Sequence, residues 1–256
     1  MRKINYKLFA GCICFILLAS FAQAQEVYLT AGKIEFEKKV NAYKNIDDQM
    51  DDNDNSNWRE QLKKMLPEYI VTYFDLSFDG SKTIYKPGRE NTSQKVTDWM
   101  KGPATDNIVF SDFDKEQFTA QKTAYEATFL VQDSVRKIEW KFTNDTRTIA
   151  GLECRKAVGK IMDSIYVIAF YTDQIISPGG PESFNGLPGM ILGVAIPRIH
   201  TTWFATKIET IQPTTQEMTA PAKGKKVNNQ QLVQQLKTTM KDWGKWGQRT
   251  QWAILL

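Results

Sequence analysis

Alternating apolar and charged residues predict the first strands of the chain. Within Gly32–Val40 the apolar residues alternate with charged ones, which is typical of a strand buried on one face. Tyr69–Phe78 is rich in aromatic and β-branched residues and predicts a second strand. The dipeptide Asp79-Gly80 then predicts a hairpin turn into a strand at Lys82–Tyr85. A further short strand is expected at Asn107–Phe110.

From Phe118 to Ile211 the pattern predicts a meander of consecutive strands. The segment Lys137–Phe142 alternates without a break, so we expect Ile138, Trp140 and Phe142 to face the core. The predicted strands are Tyr125–Val131, Lys137–Phe142, Arg147–Ile161 with a bulge at Gly151, Ile165–Thr172, Met190–Ile196 and Thr201–Ile211, with turns at Thr143–Thr146 and Met162–Ser164. Consecutive strands joined by short turns predict an antiparallel sheet.

Two helical segments flank these strands. Asn57 and Glu60 have the spacing of a reciprocal N-terminal cap, and Asn228 or Asn229 caps a second helix. The apolar faces are Trp58, Leu62 and Met65 in the first helix, which ends at Pro67, and Leu232, Leu236, Met240 and Trp243 in the second. We therefore expect an α+β fold, with a single curved antiparallel sheet, resembling a half-barrel, covered by one short helix and a C-terminal helix.

Residues 1–24 have the pattern of an export signal. A basic start is followed by the short apolar core Leu8–Leu18 and the cleavage site Ala22-Gln23-Ala24. We expect an exported protein, periplasmic or associated with the outer membrane, and no transmembrane segment after signal removal. The remainder divides into a sheet domain over 25–211 and, over 212–256, a linker, an amphipathic helix and a tail that pack on the same domain.

Removal of the export signal changes the charge and the cysteine content. The formal net charge is +4 and the signal carries three bases and no acid, which leaves about +1 (4 − 3). A nearly neutral chain offers no electrostatic case for a nucleic-acid partner. Cys12 and Cys14 leave with the signal, so Cys154 has no cysteine with which to form an intrachain disulfide. Stability is therefore expected to come from the core.

The stretch Phe184–Val194, with the sequence FNGLPGMILGV, joins turn signals to an apolar strand. Asn185-Gly186 and Pro188-Gly189 are turn dipeptides, because glycine accepts the positive φ that such turns require. Met190–Ile196 contains no polar residue, which is typical of a strand buried on both faces. A second rigid, glycine-rich crossing, Ser177–Pro181, precedes this stretch.

This part of the chain resembles the GLPGLI family. The matching hexapeptide is Gly186, Leu187, Pro188, Gly189, Met190 and Ile191, with methionine at the second leucine of the family name. Upstream, Ile149–Ala157 resembles the family's I-x-G-x-x-C-x-K-A segment, which contains Cys154 and Lys156. Ala169–Thr172, followed by Gly180 and Pro181, resembles its A-W-Y-x…G-P segment, with Phe170 replacing tryptophan. The resemblance covers Gly32 to Ile211. It implies a secreted protein of Bacteroidota, often encoded near TonB-dependent receptors, in a family without an established activity.

Cys154 and His200 are the only cysteine and histidine after signal removal. A nucleophilic pair would require contact between them and a third, orienting group. Cys154 lies within a predicted strand rather than at a helix N-terminus, where its thiol would be activated. Two separate structural residues are the favoured interpretation, and one cysteine and one histidine are too few for a zinc site. We expect no catalytic residue, no metal and no cofactor.

Lys156 and the Pro188-Gly189 corner are the candidate binding residues. Lys156 could bind an anionic ligand, although pairing with an acid at the sheet rim is favoured. Glu139 and Glu153 could be neighbours across a hairpin, but carboxylates are too common here to identify a glycosidase pair. The acidic segment 47–57 matches the start of a calcium loop and lacks its glycine at position six, so a solvated loop is favoured.

The C-terminal segment combines bases with tryptophans. The bases Lys223, Lys225, Lys226, Lys237, Lys241, Lys245 and Arg249 face a single acid, Asp242, and Trp243, Trp246 and Trp252 are interleaved with them. Such a segment suits an anionic membrane surface or a partner protein. The favoured alternative is a solvated basic face over tryptophans that pack on the sheet.

Three functional hypotheses follow. The leading one is a non-catalytic periplasmic module that binds a ligand or an envelope or outer-membrane protein, linked to TonB-dependent transport. The second is an envelope hydrolase with an unrecognised carboxylate site. The third is a carrier that holds an apolar ligand in the concave sheet.

Overall fold

A computed structural model of the chain describes residues 28–49, 56–97, 101–124, 126–162 and 164–256. The predicted export signal lies outside these residues, as do Asp52 and Asp54 of the calcium-like segment.

The described residues form one open sheet of twelve strands. The strands are β1 (Ala31–Asn41), β2 (Tyr69–Asp79), β3 (Lys82–Pro87), β4 (Ile108–Asp112), β5 (Gln117–Ala124), β6 (Ala127–Ser134), β7 (Trp140–Ile149), β8 (Leu152–Ile161), β9 (Ile165–Thr172), β10 (Met190–Ile196), β11 (Thr201–Glu209) and β12 (Lys225–Val227). Their order is β12-β6-β5-β4-β3-β2-β1-β11-β10-β9-β8-β7. All neighbours are antiparallel except β12 and β6, and β12 and β7 form the two edges.

Four helices and a single 3₁₀ turn accompany the sheet in the described part of the chain. The helices are α1 (Ala42–Gln49), α2 (Ser56–Met65), α3 (Asn229–Thr239) and α4 (Gly244–Leu255), and the turn is Pro197–Ile199. The expected α+β class, with one large antiparallel sheet, is confirmed. The predicted C-terminal tail is itself the helix α4. None of the described helices is long and apolar enough to cross a membrane.

Alternation along the central strands defines an inner face. In β1, Ile34 and Phe36 are fully buried while the residues beside them are partly exposed. In β2 the buried positions Phe74, Leu76 and Phe78 lie on the same face, because β1 and β2 pair in continuous register. This inner face contains most of the hydrophobic core.

The glycine- and proline-rich segment between β9 and β10 crosses the inner face. Its backbone is tied to the sheet, since Ile191 N–H donates to the carbonyl of Gly179 over 2.8 Å. The indole nitrogen of Trp140 donates to the carbonyl of Asn185 over 2.9 Å. Gly189 has a φ of +117°, and a β-carbon there would lie 2.0 Å from the carbonyl oxygen of Thr172. The turn before β10 therefore requires glycine, and β10 is the buried strand that its apolar run predicts.

The hairpin around residue 150 differs from the prediction. The turn is formed by Ala150 and Gly151, both at positive φ, so Gly151 is a turn residue rather than a bulge. Residues 143–146 belong to β7, and the register shift lies between Phe142 and Thr146. Phe142 precedes the shift, on the edge strand β7, and is 61% exposed. The prediction of a core position for Phe142 was therefore wrong, since alternation alone does not show that a strand lies at the edge of a sheet.

Three further expectations need correction. The strand predicted at Tyr125–Val131 corresponds to β6, and the strand β5 that precedes it was not predicted. The short strand β12 lies in the predicted linker, where it forms by parallel pairing with β6. The helix α2 exists, but Trp58 is 51% exposed and Met65 is also exposed, so its apolar face is not buried among the described residues.

The α3 helix agrees with the sequence pattern. The side chain of Asn228 accepts from the backbone N–H of Gln231, whose side chain accepts from the backbone N–H of Asn228, completing a capping box. Leu232, Leu236 and Met240 are buried as predicted.

Candidate functional site

Several polar side chains face inward among the apolar residues of the sheet. They are Lys38 on β1, Tyr85 on β3, Asn107 just before β4, Lys122 on β5 and Trp203 on β11, and all are almost fully buried. Lys38 follows the core residue Phe36 by two positions, and Lys122 lies between Ala120 and Ala124 in the same way, so strand alternation directs both lysines inward. The crossing segment adds Glu182 from the opposite side. We call Lys38, Tyr85, Asn107, Glu182 and Trp203 the inner polar cluster.

Lys38 lies at the centre of the inner polar cluster. Its Nζ donates to the carbonyl of Ala104 over 2.6 Å and lies 3.9 Å from Oε1 of Glu182. The ammonium also lies over the rings of Trp203 and Phe74, at 5.4 and 5.7 Å from their centroids. Burial lowers the pKa of Lys38, and the negative charge of Glu182 opposes this effect.

Glu182 enters the cluster from the crossing segment. Its φ is +52°, an uncommon value for a residue with a side chain. Oε2 accepts from the side-chain nitrogen of Asn107 over 2.9 Å, whereas Oε1 has no hydrogen-bond partner. The carboxylate is therefore fully buried with only one of its oxygens satisfied.

Two more buried polar atoms of the cluster have no hydrogen-bond partner, the hydroxyl of Tyr85 and Nε1 of Trp203. The Tyr85 ring stacks on Phe74 at a centroid distance of 4.7 Å, which places it beside Lys38. Burial and then the charge of Glu182 raise the pKa of Tyr85 well above its ordinary value. The neighbouring indole of Trp203 works against this increase in the pKa of Tyr85. Its Nε1 and the Tyr85 hydroxyl nevertheless do not meet the geometry of a hydrogen bond.

A second set of inward groups binds the end of α4. Lys122 Nζ donates to the carbonyl of Ile254 over 2.9 Å, Arg136 donates to the carbonyl of Leu255, and the hydroxyl of Ser183 donates to that of Leu256. Cations at a helix C-terminus are favourable because they meet its partial negative charge. Burial lowers the pKa of Lys122 to about 8 and that of Arg136 to about 10.

A cavity of about 1210 Å³ adjoins the inner polar cluster, and both Lys38 and Trp203 line it. Its walls come from β1, β2, α1, α4 and the segment between β3 and β4. Apolar lining residues include Val40, Ile46, Leu66, Ile70, Ala253 and Ile254. Small-molecule pockets usually have volumes of roughly 300–1,000 Å³, so this space is large enough for an extended ligand.

An ionic cluster joins α1 to α4 at one wall of this cavity. Oδ2 of Asp48 lies 2.8 Å from Nε2 of His200 and 2.6 Å from a guanidinium nitrogen of Arg249. Arg249 also donates to the carbonyl of Arg198. Partial burial works against ionisation of Asp48, but the His200 hydrogen bond and then the charge of Arg249 hold its pKa below the ordinary value. The cluster fixes α4 against α1 and the 3₁₀ turn.

The structure gives Cys154 and His200 separate surroundings. Cys154 is fully buried in β8, where its thiol contacts the carbonyl of Leu152 at 3.6 Å. Burial raises the pKa of the Cys154 thiol to about 12, so the reactive thiolate is suppressed. His200 instead binds Asp48.

The candidate binding residues predicted from sequence lie outside the lining of the cavity. Lys156 is paired with Asp145 at 2.7 Å, which is the rim pairing favoured from the sequence. Pro188 is exposed and Gly189 is buried against Thr172. Their positions indicate a structural role in the turn before β10.

Glu139 and Glu153 are not brought together. Glu153 pairs with Thr148 across the hairpin, whereas Trp140, which follows Glu139, pairs with Gly159. Among the residues that the structure describes, no three His, Cys, Asp or Glu side chains are grouped so that they could hold a metal ion.

The basic C-terminal segment is divided between surface and interior. Lys223, Lys226, Lys237 and Lys241 are exposed, as is Lys225, which donates to Gln235 over 3.3 Å. Arg249 is buried and bound to Asp48. Trp243 and Trp246 pack against each other with centroids 4.7 Å apart.

The inner polar cluster was not predicted from the sequence, although the strand pattern contains one signal for it. Lys38 follows Ile34 and Phe36 at the same alternating positions, and Lys122 follows Phe118 and Ala120 in the same way. A lysine at a core position of a strand indicates a buried charge that needs a partner. Glu182 carries no such signal, because it lies in an irregular segment.

Comparisons with known proteins agree with the fold and add no activity. Residues 117–193 match a family described as a protein of unknown function (Porph_ging). A comparison with curated proteins finds no match.

The solved structures that are similar to this chain include the following three. The structure of PNGF-II in the C2 space group is 15% identical over 83% of this chain and 32% of that chain, with a TM-score of 0.50. PNGF-II in the P21 space group is 16% identical over 84% and 33%, with a TM-score of 0.49. An uncharacterized conserved protein from Thermus thermophilus is 8% identical over 78% and 90%, with a TM-score of 0.38. The chain spans about a third of the length of the PNGF-II chains. At this identity, the first similarity concerns the fold alone.

Proposed function

We propose that the protein is an exported, non-catalytic binding module of the cell envelope, and that its cavity holds a largely apolar ligand. The observation that carries this proposal is the cavity of about 1210 Å³ between the inner face and the helices. Apolar residues form part of the cavity lining, so a ligand that covers Val40, Ile46 and Ile70 is stabilised by the hydrophobic effect. The proposal combines two hypotheses from the sequence, the carrier of an apolar ligand and the non-catalytic periplasmic binding module.

The cellular setting is part of the same proposal. The pattern of residues 1–24 supports export, and the resemblance to the GLPGLI family supports a periplasmic or outer-membrane location in Bacteroidota. Through that resemblance, an envelope or outer-membrane protein, including one linked to TonB-dependent transport, is the proposed partner.

The hydrolase alternative has less support from the geometry. A carboxylate mechanism needs two acids that converge on one bond. Glu182 is buried beside Asn107 and Lys38, whereas Asp106, the second acid that acts on Lys38, is exposed. The arrangement is that of a buried ion pair.

Titration with a fluorescent apolar probe tests this proposal. N-phenyl-1-naphthylamine added to the wild-type protein should bind with one-to-one stoichiometry. Ala253 lines the cavity, so Ala253→Trp should place an indole in that space and weaken probe binding by about tenfold or more.

The matched control is Ala222→Trp, which adds the same indole at an exposed position outside the cavity lining. It should leave probe binding at the wild-type level. Equal binding by all three proteins would place the probe on the surface and contradict the proposal. Both variants must show the same cooperative unfolding transition as the wild-type protein, so that a difference in probe binding does not reflect loss of the fold.

A further inference from the structure

One face of α2 combines a cavity-lining residue with exposed apolar residues. Trp58, Leu62 and Met65 have the spacing that places side chains on one face of a helix. Leu62 lines the cavity, whereas Trp58 and Met65 are more than half exposed, at 51% and 57%. The α2 helix therefore holds two large apolar side chains in solvent beside the cavity.

The α4 helix adds an exposed aromatic side chain to the cavity wall. Trp246 lines the cavity and is 41% exposed, so the cavity reaches solvent on this side. Adjacent residues of α1 hold the two helices together, since Asp47 binds Lys63 of α2 at 2.7 Å and Asp48 binds Arg249 of α4 at 2.6 Å. We call the following residues the apolar rim: Trp58, Leu62, Met65 and Trp246.

Bases outnumber acids in the described residues beside the apolar rim. The helix α2 and residues 241–255 each carry three bases and one acid. Lys64, next to Met65, and Lys245, next to Trp246, are exposed. Lysines in such positions reach lipid phosphates while the neighbouring apolar side chains enter the head-group region. The rim therefore suits a partner with an anionic surface and an apolar interior.

A lipid bilayer is the partner that has both properties. Tryptophan is enriched where a membrane meets water, and short amphipathic helices with bases and large apolar residues lie in that plane. A bilayer also holds the long apolar molecules that the cavity is proposed to take. We infer that the apolar rim docks the protein on the surface of an anionic lipid bilayer, with the cavity beside the lipid. Docking needs no ligand in the cavity, so this inference goes beyond the proposed function.

Flotation with lipid vesicles tests this inference. The purified protein is mixed, without any cavity ligand, with vesicles made of equal parts of phosphatidylethanolamine and phosphatidylglycerol. The wild-type protein should float with the vesicles. Trp58→Ser and Trp246→Ser should each weaken vesicle binding about fivefold or more, because each variant loses a large apolar side chain that leaves water on docking.

Tyr166→Ser is the matched control. Tyr166 is a 63% exposed aromatic residue of β9 that does not line the cavity, so its loss should leave vesicle binding at the wild-type level. Trp246 packs on Trp243, and its substitution also affects that contact. If Trp246→Ser fails to fold, Trp58→Ser and Met65→Ser on α2 still decide the result.

Two outcomes would overturn the inference. A wild-type protein that does not float leaves a protein partner or a second copy of the chain as the occupant of the apolar rim. Equal flotation of the wild type, Trp58→Ser and Trp246→Ser would place the lipid contact elsewhere on the protein. Both outcomes are distinct from failure of the proposed function, which is tested by probe titration in the absence of vesicles.

Discussion

Lys38 and Glu182 lie 3.9 Å apart inside the sheet, and neither is accessible to solvent to any useful extent. One comes from a central strand and the other from the segment that crosses it, so their pairing joins the crossing segment to the inner face. Asn107 and the carbonyl of Ala104 complete the environment of the pair. The crossing segment is thus held by a polar contact as well as by packing.

Removal of either partner of this pair should be strongly destabilising. Lys38→Met leaves a buried carboxylate without its cation, and Glu182→Gln leaves a buried ammonium without its anion, at a cost of about 3 kcal/mol each. The double variant should be more stable than the sum of the two single effects predicts, because neither charge remains. Urea unfolding of the four proteins measures the coupling.

The exposed pair Lys156–Asp145 provides the matched comparison. Asp145→Asn should have a much smaller effect than Glu182→Gln, because exposed ion pairs contribute little. Additive effects in the Lys38 and Glu182 cycle would show that the two charges do not interact.

Gly189 should not tolerate even a methyl group. A β-carbon would overlap the carbonyl oxygen of Thr172, and the φ of +117° is unfavourable for any other residue. Gly189→Ala is expected to cost about 4 kcal/mol or more, or to prevent folding. Gly80→Ala is the control, because Gly80 also has positive φ but nothing lies near the added atom, so its cost should be about 1 kcal/mol. Thermal unfolding distinguishes the two, and equal losses would contradict the steric explanation.

Burial of Lys122 should make the stability rise in alkaline solution. Desolvation lowers the pKa of Lys122 in the folded state to about 8, whereas in the unfolded chain its pKa is near 10.5. The negative charge of Glu182 opposes this lowering, and the positive charges of Arg136 and Lys38 add to it. Burial of the charged lysine lowers the free energy of unfolding by about 3 kcal/mol. This destabilisation is fully present below pH 8 and is relieved as the pH rises toward 10.5, because the unfolded state then binds more protons than the folded state.

Lys122→Met should flatten this dependence. Urea unfolding measured from pH 7 to 10.5 should show the unfolding free energy of the wild type rising relative to that of the variant. A constant difference over that range would show that Lys122 is not charged and buried below pH 8.

Cys154 should be unreactive in the folded protein. Its thiol is buried and its pKa is raised to about 12, so both access and thiolate are lacking. Iodoacetamide should label the peptide that contains Cys154 only as fast as the protein unfolds, and urea should accelerate labelling in step with the unfolding curve. Rapid labelling of the native protein would place the thiol at the surface.

The elements that could be predicted are those determined by a few residues that are neighbours in the sequence. Asp79-Gly80 makes its hairpin, Asn228 caps α3, and the apolar run Met190–Ile196 forms a buried strand, since each depends on a few neighbouring residues. The edge strand β7 and the strand β12 depend on tertiary pairing, and for that reason the pattern near Phe142 and the composition near Lys225 were misleading.

The candidate site divides in the same way. Lys38 could be located from strand alternation alone, because a lysine two residues after Phe36 must face the same side. Glu182 could not, since a residue in an irregular crossing is positioned by the whole segment. The cavity itself arises from helices and strands far apart in sequence, and no local pattern reveals it.

Native mass spectrometry of the protein, purified without detergent from the cells that produce it, tests the central claim most directly. The account predicts a population that carries one apolar molecule per chain, released on unfolding, and a reduced bound fraction in Ala253→Trp. A wild-type spectrum with only the bare chain, together with failure of the protein to take up N-phenyl-1-naphthylamine, would contradict the claim that the cavity is a ligand site.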